Sequence, residues 1–248
     1  MEIWKFFDIT HKEHVLCNPT SLAKFSRLVE LVRLPQGARV LEMATGKGEL
    51  MVQLAERYDV SGVAIDLSPY CIGDARRKIE TRVPDANIEL LEMDGAKYRP
   101  QPGETFDLAA CLGASWIFNG HKGTMVALAR MTKPGGLVVV GEPYWRQEPH
   151  PDYLAAADLE RALFGTHYEN VVTGEELGLS LLYTLVSNLD EWDQYEGLQW
   201  YAAENYAAGH PEDPDVPELL QRVRGSKQSY LQWGRDTLGW AIYLFRKP

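Results

Sequence analysis

The first 145 residues alternate between short apolar runs and longer stretches in which apolar residues recur at helical spacing. Each run is five to seven residues long and predicts a buried strand, and the stretches between the runs are long enough for crossover helices. Because parallel strands must be joined by such crossovers, the pattern predicts an α/β fold with a doubly wound, parallel sheet. The predicted strands span residues 39–43, 60–66, 88–92, 106–111 and 137–141.

Beyond Trp145 the alternation gives way to mainly helical material, with helices predicted around residues 153–164 and 174–178. Two further apolar runs, at residues 181–186 and 238–245, predict two more strands of the same sheet. An insert of about 50 residues, rich in Trp, Tyr and acidic side chains, separates them, and three prolines between residues 211 and 217 break it into two helices. The sequence therefore predicts a seven-stranded sheet that carries a helical cap.

Composition and charge argue against several classes of function. The net charge is −10 and no dense Lys/Arg stripe is present, which argues against nucleic acid as a partner. No apolar run approaches the roughly 20 residues of a membrane span, and the N-terminus lacks the pattern of a secretory signal. Three widely spaced cysteines, Cys17, Cys71 and Cys111, predict no disulfide framework, no zinc site and no thiol-dependent metalloid chemistry. We therefore expect a cytoplasmic monomer or homodimer with no metal and no membrane partner.

Four segments that follow predicted strands carry the residue types of a nucleoside-binding site. The turn at residues 42–48 contains glycines, which let a ligand approach the backbone, and it opens a helix whose N–H groups face that ligand. Asp66 ends the second strand, where an acid accepts hydrogen bonds from ribose hydroxyls. Asp94 suits an adenine amine, and small residues at 112–114 leave room for a ligand. All four segments lie at carboxyl ends of strands, the edge at which open α/β sheets bind ligands.

Residues 35–145 resemble the class I S-adenosylmethionine (SAM)-dependent methyltransferases. The acid that opens motif I of that family matches Glu42, its ribose-binding acid matches Asp66, and its adenine-side acid matches Asp94. The Lys-Pro-Gly-Gly turn of the family matches residues 133–136. The resemblance implies SAM as the methyl donor, S-adenosylhomocysteine as the product, and a last strand that runs antiparallel to the others.

The resemblance also implies a set of cofactor residues and a division of the chain. One position departs from the family pattern, because Ala44 stands where motif I has its first glycine. The implied cofactor residues are Glu42, Ala44, Gly46, Gly48, Asp66, Leu67, Asp94, Gly95, Ala96 and Leu112. The implied division is an N-terminal helical segment over the site (1–34), the SAM-binding core (35–188), the helical cap insert (189–236) and the final core strand (237–248).

Predictions about the acceptor depend on side chains above the fourth and fifth strands and in the cap. Methyl transfer is an in-line displacement that chiefly requires alignment of the reactants and exclusion of water. Glu142 is a candidate to orient an amine or take a proton, or else an ordinary solvated acid, and His121 is a candidate base or a helix cap. The aromatic side chains predict a small-molecule acceptor. The candidate acceptor-binding residues are Trp116, Tyr144, Trp145, Trp200 and His14, and the candidates to close the site are Phe6, Phe7, His11, His14 and Asn18.

Two other functions are compatible with parts of the pattern. The fingerprint of an NAD(P)-dependent oxidoreductase has a glycine three residues beyond Gly48, where this chain has Met51, and no Tyr–Lys pair is evident. A SAM-binding protein without catalysis would share every cofactor feature, so that only a turnover assay separates it from an enzyme. The sequence does not choose among N, O, C and S acceptors.

Overall fold

The computed structural model describes all 248 residues, and its centre is one sheet of seven strands. In chain order the strands are β1 (Arg39–Met43), β2 (Ser61–Asp66), β3 (Ile88–Glu92), β4 (Phe106–Leu112), β5 (Thr132–Trp145), β6 (Ser180–Val186) and β7 (Leu238–Arg246). Their order in the sheet is β3-β2-β1-β4-β5-β7-β6. Only β7 runs against the others, since it pairs antiparallel with both β5 and β6. The predicted doubly wound α/β fold with an antiparallel last strand is confirmed.

Helices cover both faces of the sheet, and local sequence signals set where they begin. Ser68 accepts a hydrogen bond from the Cys71 amide and Pro69 takes the first helical position, which starts the fourth helix. Asn188 and Glu191 form a capping box that starts the long cap helix. The helices are α1 (Ile3–Thr10), α2 (Leu22–Val32), α3 (Glu49–Tyr58), α4 (Pro69–Arg82), α5 (His121–Met131), α6 (Pro151–Ala156), α7 (His167–Glu176), α8 (Leu189–Gly209), α9 (Val216–Ser229) and α10 (Arg235–Thr237).

Alternate residues of the central strands enter two hydrophobic clusters on opposite faces of the sheet. In β7, Ile242 and Leu244 belong to the cluster that α2 and α3 cover, whereas Tyr243 and Phe245 belong to the cluster that α5 covers. A third, small cluster joins Ile9 of α1 to α8 and α9. The N-terminal helix therefore packs on the cap. None of the helices combines the length and apolar character that crossing a membrane requires.

Two local predictions were wrong. The fifth strand begins at Thr132 and not at residue 137. Residues 133–136, predicted as a turn before it, form an irregularity within β5 that has no partner in β4, with Gly135 at φ +75°. The helix predicted over residues 153–164 ends at Ala156, and α7 begins earlier than predicted because Thr166 and Glu169 form a capping box. The division of the chain at residues 34, 188 and 236 stays a prediction.

Candidate active site

A cavity of about 540 Å³ opens at the carboxyl ends of β1, β2 and β4 and beside the turn that follows β3. This is the edge of an open parallel sheet at which ligands bind, and the volume falls within the range of small-molecule sites. Eight of the ten predicted cofactor residues line it: Ala44, Gly46, Asp66, Leu67, Asp94, Gly95, Ala96 and Leu112. The turns after the strands thus bring together residues that are far apart in the sequence.

The turn after β1 takes its shape from three residues with left-handed backbone. Ala44, Gly46 and Gly48 have φ of +53°, +54° and +73°. A side chain at Gly48 would collide with α4, since its Cβ would lie 2.8 Å from the Cβ of Ala75. Ala44 adopts the same left-handed region at a cost of about 1–2 kcal/mol relative to glycine. The alanine is therefore held in backbone that favours glycine. Gly48 serves the packing of α3 on α4 and does not line the cavity.

Asp66 holds the turn and faces the cavity at the same time. One carboxylate oxygen accepts the Gly46 N–H at 2.8 Å, and the other accepts the Ser68 N–H at 2.8 Å. Burial raises the pKa of Asp66 despite these donors. Because each carboxylate oxygen can accept more than one hydrogen bond, both retain a lone pair for a ligand. This arrangement suits a vicinal diol such as a ribose.

The turn after β3 forms the opposite wall of the cavity. Asp94 accepts the Ala96 N–H at 2.9 Å, which fixes the 3-10 turn Gly95–Lys97. Gly95 is buried against Ile117, and a Cβ there would lie 3.5 Å from that side chain. Leu67 is half exposed on the other side of the opening. A flat ring would meet apolar side chains here, with a carboxylate at the edge.

Glu42 lies behind the turn and does not reach the large cavity. It accepts a hydrogen bond from the Thr45 hydroxyl at 2.6 Å and lines a cavity of about 30 Å³ that also contacts Ala44 and Leu112. Its burial raises the pKa of Glu42 to about 8. The structure therefore places Glu42 where it supports the turn from below.

The two predicted catalytic residues, Glu142 and His121, lie together but outside the cavity. Glu142 is fully buried, accepts a hydrogen bond from the Ser115 hydroxyl at 2.9 Å, and has its second oxygen 4.0 Å from Nδ1 of His121. Burial raises the pKa of Glu142 to about 7 and lowers that of His121. His121 Nε2 lies 3.0 Å from the Asn170 carbonyl, which only accepts, so Nε2 carries the proton and Nδ1 is a bare acceptor. Neither Nδ1 nor the second Glu142 oxygen has a hydrogen-bond partner.

Of the five predicted acceptor-binding residues, only Trp116 lines the large cavity, at whose mouth it is 72% exposed. Trp145 is buried against Tyr153 and Phe164 and donates to the Arg161 carbonyl. The remaining three also fill packing positions away from the cavity: Tyr144 lies against His167 and Gly239, Trp200 against Tyr230 and Lys227, and His14 against Tyr195. The structure does not bring these four side chains to the large cavity, and their role in acceptor binding stays a prediction.

The N-terminal segment and the cap meet over the cavity through His11 and Tyr195, which both line it. His11 Nδ1 lies 3.2 Å from the Phe7 carbonyl and must donate to it, so Nε2 accepts from the Tyr195 hydroxyl at 3.1 Å. Burial lowers the pKa of His11 to about 3, which keeps the ring neutral. His14 Nε2 donates to the Tyr195 carbonyl at 2.8 Å. The sequence offered His11 only as part of a cover, and Tyr195 only as one of several aromatic residues of the cap insert.

The charged side chains that line the large cavity are all acidic. No Lys or Arg lines the large cavity, and its acidic side chains are Asp66 and Asp94. Trp4, Phe7 and Trp116 add aromatic surface. No group of three or more His, Cys, Asp or Glu side chains is arranged to hold a metal ion. The cavity therefore offers hydrogen-bond acceptors and aromatic faces, and no cation.

Comparisons with known proteins agree in pointing to one family. Residues 40–136 match the family model described as a methyltransferase domain. YjhP, an uncharacterised protein of Escherichia coli K12, is 29% identical over 245 residues, which are 98% of each chain. The crystal structure of a SAM-dependent methyltransferase from Thiobacillus denitrificans, in complex with S-adenosylhomocysteine, is 30% identical, covers 100% of both chains, and superposes with a TM-score of 0.91. Trans-aconitate 2-methyltransferase of Paracidovorax citrulli is 33% identical over 124 residues, which are 49% of this chain and 45% of that protein.

Proposed function

The chain belongs to the SAM-dependent methyltransferases, and we propose that its large cavity holds SAM beside a small acceptor that carries no negative charge. The observation that carries the proposal is Asp66, whose two oxygens each keep a lone pair toward the cavity while they hold the turn after β1. The absence of a Cβ at Gly46, the left-handed turn and the volume of about 540 Å³ also fit a nucleoside-bearing cofactor.

Named residues would hold the three parts of the cofactor. Asp66 would accept the ribose hydroxyls and Asp94 would accept from the adenine amine. Leu67 would pack against the adenine. Ala44, Gly46 and Leu112 would contact the methionine portion, since they line both the large cavity and the small one behind it. When bound, SAM supplies a methyl group on a positively charged sulfur, which is open to attack by a nucleophile.

The charge of the lining supports an acceptor that is neutral or cationic. An acceptor with several carboxylates, such as the one named for the Paracidovorax citrulli relative, would find no Lys or Arg in the wall of this cavity. Burial of unpaired charge is costly, and the two lining acids would repel an anion. Trp4, Phe7 and Trp116 suit a flat or cationic molecule. We therefore propose a small aromatic or amine acceptor.

The protein's own part in the transfer is alignment, exclusion of water and removal of a proton when the acceptor must lose one. The aromatic side chains of the lining and the bonded pair His11 and Tyr195 would limit the access of water to the bound reactants. For the proton we propose Glu142 with His121. Ser115 joins them to the cavity, because it donates to Glu142 and belongs to the turn Ser115–Phe118 that carries Trp116. The second carboxylate oxygen of Glu142 and Nδ1 of His121, which lie 4.0 Å apart without hydrogen-bond partners, could each accept a proton in this buried position.

Two experiments test the proposal. Calorimetric titration with SAM and with S-adenosylhomocysteine is expected to show one site per chain, and absence of binding at millimolar SAM would refute the cofactor assignment. Acceptors are then screened as neutral, cationic and anionic sets, with mass spectrometry for the gain of one methyl. Methylation confined to anionic acceptors contradicts the charge argument. Methylation of none of the three sets while SAM binds would favour a binding protein without catalysis.

A further inference from the structure

The fold brings two of the three cysteines together in the wall of the cavity. Cys17 lies in the irregular segment 11–21 between α1 and α2, and Cys71 lies in the first turn of α4. Both line the large cavity, and each thiol is close enough to the other to shift its pKa. Cys111 is buried inside β4 and takes no part. Cys17 and Cys71 are therefore far apart in the sequence but lie at the same cavity in the folded protein.

The two thiols have unequal surroundings. The S–H of Cys71 and the positive charge of Lys47 lower the pKa of Cys17 against the opposing effect of burial. The pKa of Cys71 is raised, because its proton is held in the bond to Cys17 and because the side chain is buried. Lys47 is fixed nearby, with its Nζ 2.8 Å from the His11 carbonyl and 3.2 Å from an Asp74 oxygen. Cys17 is thus the better nucleophile, and Cys71 holds a proton beside it.

We propose that Cys17 and Cys71 form a reversible disulfide on exposure to a peroxide, and that this disulfide weakens cofactor binding. The Cys17 thiolate attacks one oxygen of hydrogen peroxide and the O–O bond breaks, so that Cys17 becomes a sulfenic acid and the departing hydroxide takes up a proton from solvent to leave as water. The Cys71 sulfur then attacks the Cys17 sulfur, the S–O bond breaks, and the hydroxyl leaves as a second water with the Cys71 proton. The two sulfurs lose two electrons in total, and the peroxide is reduced to two waters.

The local backbone permits this closure. A disulfide requires the two sulfurs, which are free here, to approach to about 2.0 Å, so one residue must shift. Cys17 makes no backbone–backbone hydrogen bond, whereas Cys71 is fixed in a capped helix. Cys17 is therefore the residue that moves toward α4.

The same movement changes the cofactor site. The Cys17 sulfur now lies against the turn after β1, 3.3 Å from the position that a Cβ on Gly46 would take. Movement of this sulfur toward α4 shifts the cavity wall at Gly46, to which we assign the methionine portion, and at Asp66, to which we assign the ribose. The effect on affinity rests on the proposed function, whereas formation of the disulfide does not. By linkage, a ligand that fills the cavity disfavours the disulfide at equilibrium by the same factor by which the disulfide weakens the affinity for the ligand.

The experiment compares reduced and oxidised protein. Fully reduced wild type is treated with hydrogen peroxide and digested without reductant, and the Cys17–Cys71 peptide is sought by mass spectrometry. We expect this cross-link in wild type and Cys111→Ser, its absence in Cys17→Ser and Cys71→Ser, and its loss after dithiothreitol. Calorimetry with S-adenosylhomocysteine is expected to show affinity weakened about tenfold after oxidation, which is an ordinary coupling between two sites. Reduction is expected to restore the affinity.

Each contrary outcome identifies a different error. Absence of the cross-link, or irreversible oxidation of Cys17 alone, overturns the disulfide. A cross-link that leaves the affinity for S-adenosylhomocysteine unchanged overturns its effect on the cofactor site. Failure of the reduced wild type to bind S-adenosylhomocysteine would refute the proposed function instead. The peptide map would still show whether the disulfide forms.

Discussion

Asp66 offers the sharpest test of the cofactor site, because its carboxylate both shapes the turn and faces the ligand. Hydrogen bonds to a charged group contribute about 1.5–3 kcal/mol each, so loss of two ribose hydroxyl contacts should cost about 3–6 kcal/mol. With tenfold in affinity for every 1.4 kcal/mol, Asp66→Ala is expected to weaken S-adenosylhomocysteine binding by a factor of about 10² to 10⁴. Asp66→Asn is expected to fall in the same range, since its NH2 would meet the Gly46 or Ser68 N–H that a carboxylate accepts.

Loss of the turn is the competing explanation, and a matched variant separates it. Ser68→Ala removes the hydroxyl that caps α4 but leaves the Asp66 carboxylate and the Ser68 N–H in place. Its expected cost is about 1 kcal/mol of stability with little change in affinity. Calorimetry with S-adenosylhomocysteine and thermal unfolding are measured on all three variants. Affinity of Asp66→Ala or Asp66→Asn close to wild type, or a Ser68→Ala loss as large as theirs, would refute the assignment of Asp66 to the ribose.

Three further predictions address the buried acid, the turn glycine and the tryptophans. Because the folded pKa of Glu142 is raised to about 7, its contribution to stability is fully present below about pH 4.5 and is lost as pH rises through about 7. The free energy of unfolding of Glu142→Gln, measured in urea, should therefore rise by up to about 3 kcal/mol relative to that of wild type as the pH is raised from 5 to 8. The same pH dependence in both proteins would contradict this. Gly48→Ala should destabilise by more than about 1 kcal/mol in thermal unfolding, since its Cβ meets a neighbouring helix at 2.8 Å, whereas Gly197→Ala in open space on α8 should be neutral or stabilising. Trp145→Ala removes a buried side chain and should cost about 3–5 kcal/mol of stability. Trp116→Ala should leave stability nearly unchanged and raise the acceptor KM. The reverse pattern in unfolding and steady-state assays would show that the two tryptophans have exchanged roles.

The fold and most of the cofactor site were accessible from the sequence because their signals are local. A short apolar run predicts a strand, and the residue that follows the run marks the carboxyl end of that strand. This logic placed Ala44, Asp66 and Asp94 correctly at one edge of the sheet. It placed the start of the fifth strand at residue 137, whereas Thr132 already pairs with Phe106 of β4 ahead of the irregularity at residues 133–136. Pairing of that kind depends on a partner some 30 residues away and leaves no local mark.

The acceptor-binding residues were harder to predict from the sequence, because a tryptophan that lines a cavity has the same local sequence pattern as one that is buried in the core. Trp145 ends the fifth strand at its carboxyl end, as an acceptor-binding residue would, yet the chain beyond it folds back so that Tyr153 and Phe164 enclose it. Trp116 follows the fourth strand in a short 3-10 turn and stays exposed. Only the path of the following segment distinguishes the two positions, and that path is set by long-range packing.

The N-terminal segment has the most consequences for function, since it connects the cofactor turn to the cap. Lys47 in the turn donates to the His11 carbonyl, and the neutral His11 ring accepts from the hydroxyl of Tyr195 on α8. His14 holds the backbone of the same tyrosine, and Cys17 lies against the turn at Gly46. A displacement at Gly46 therefore reaches Tyr195 through directly bonded groups. For that reason Cys17 and Tyr195 belong to one connected structure, and a change in the oxidation state of Cys17 should alter the cover of the cavity as well as cofactor binding.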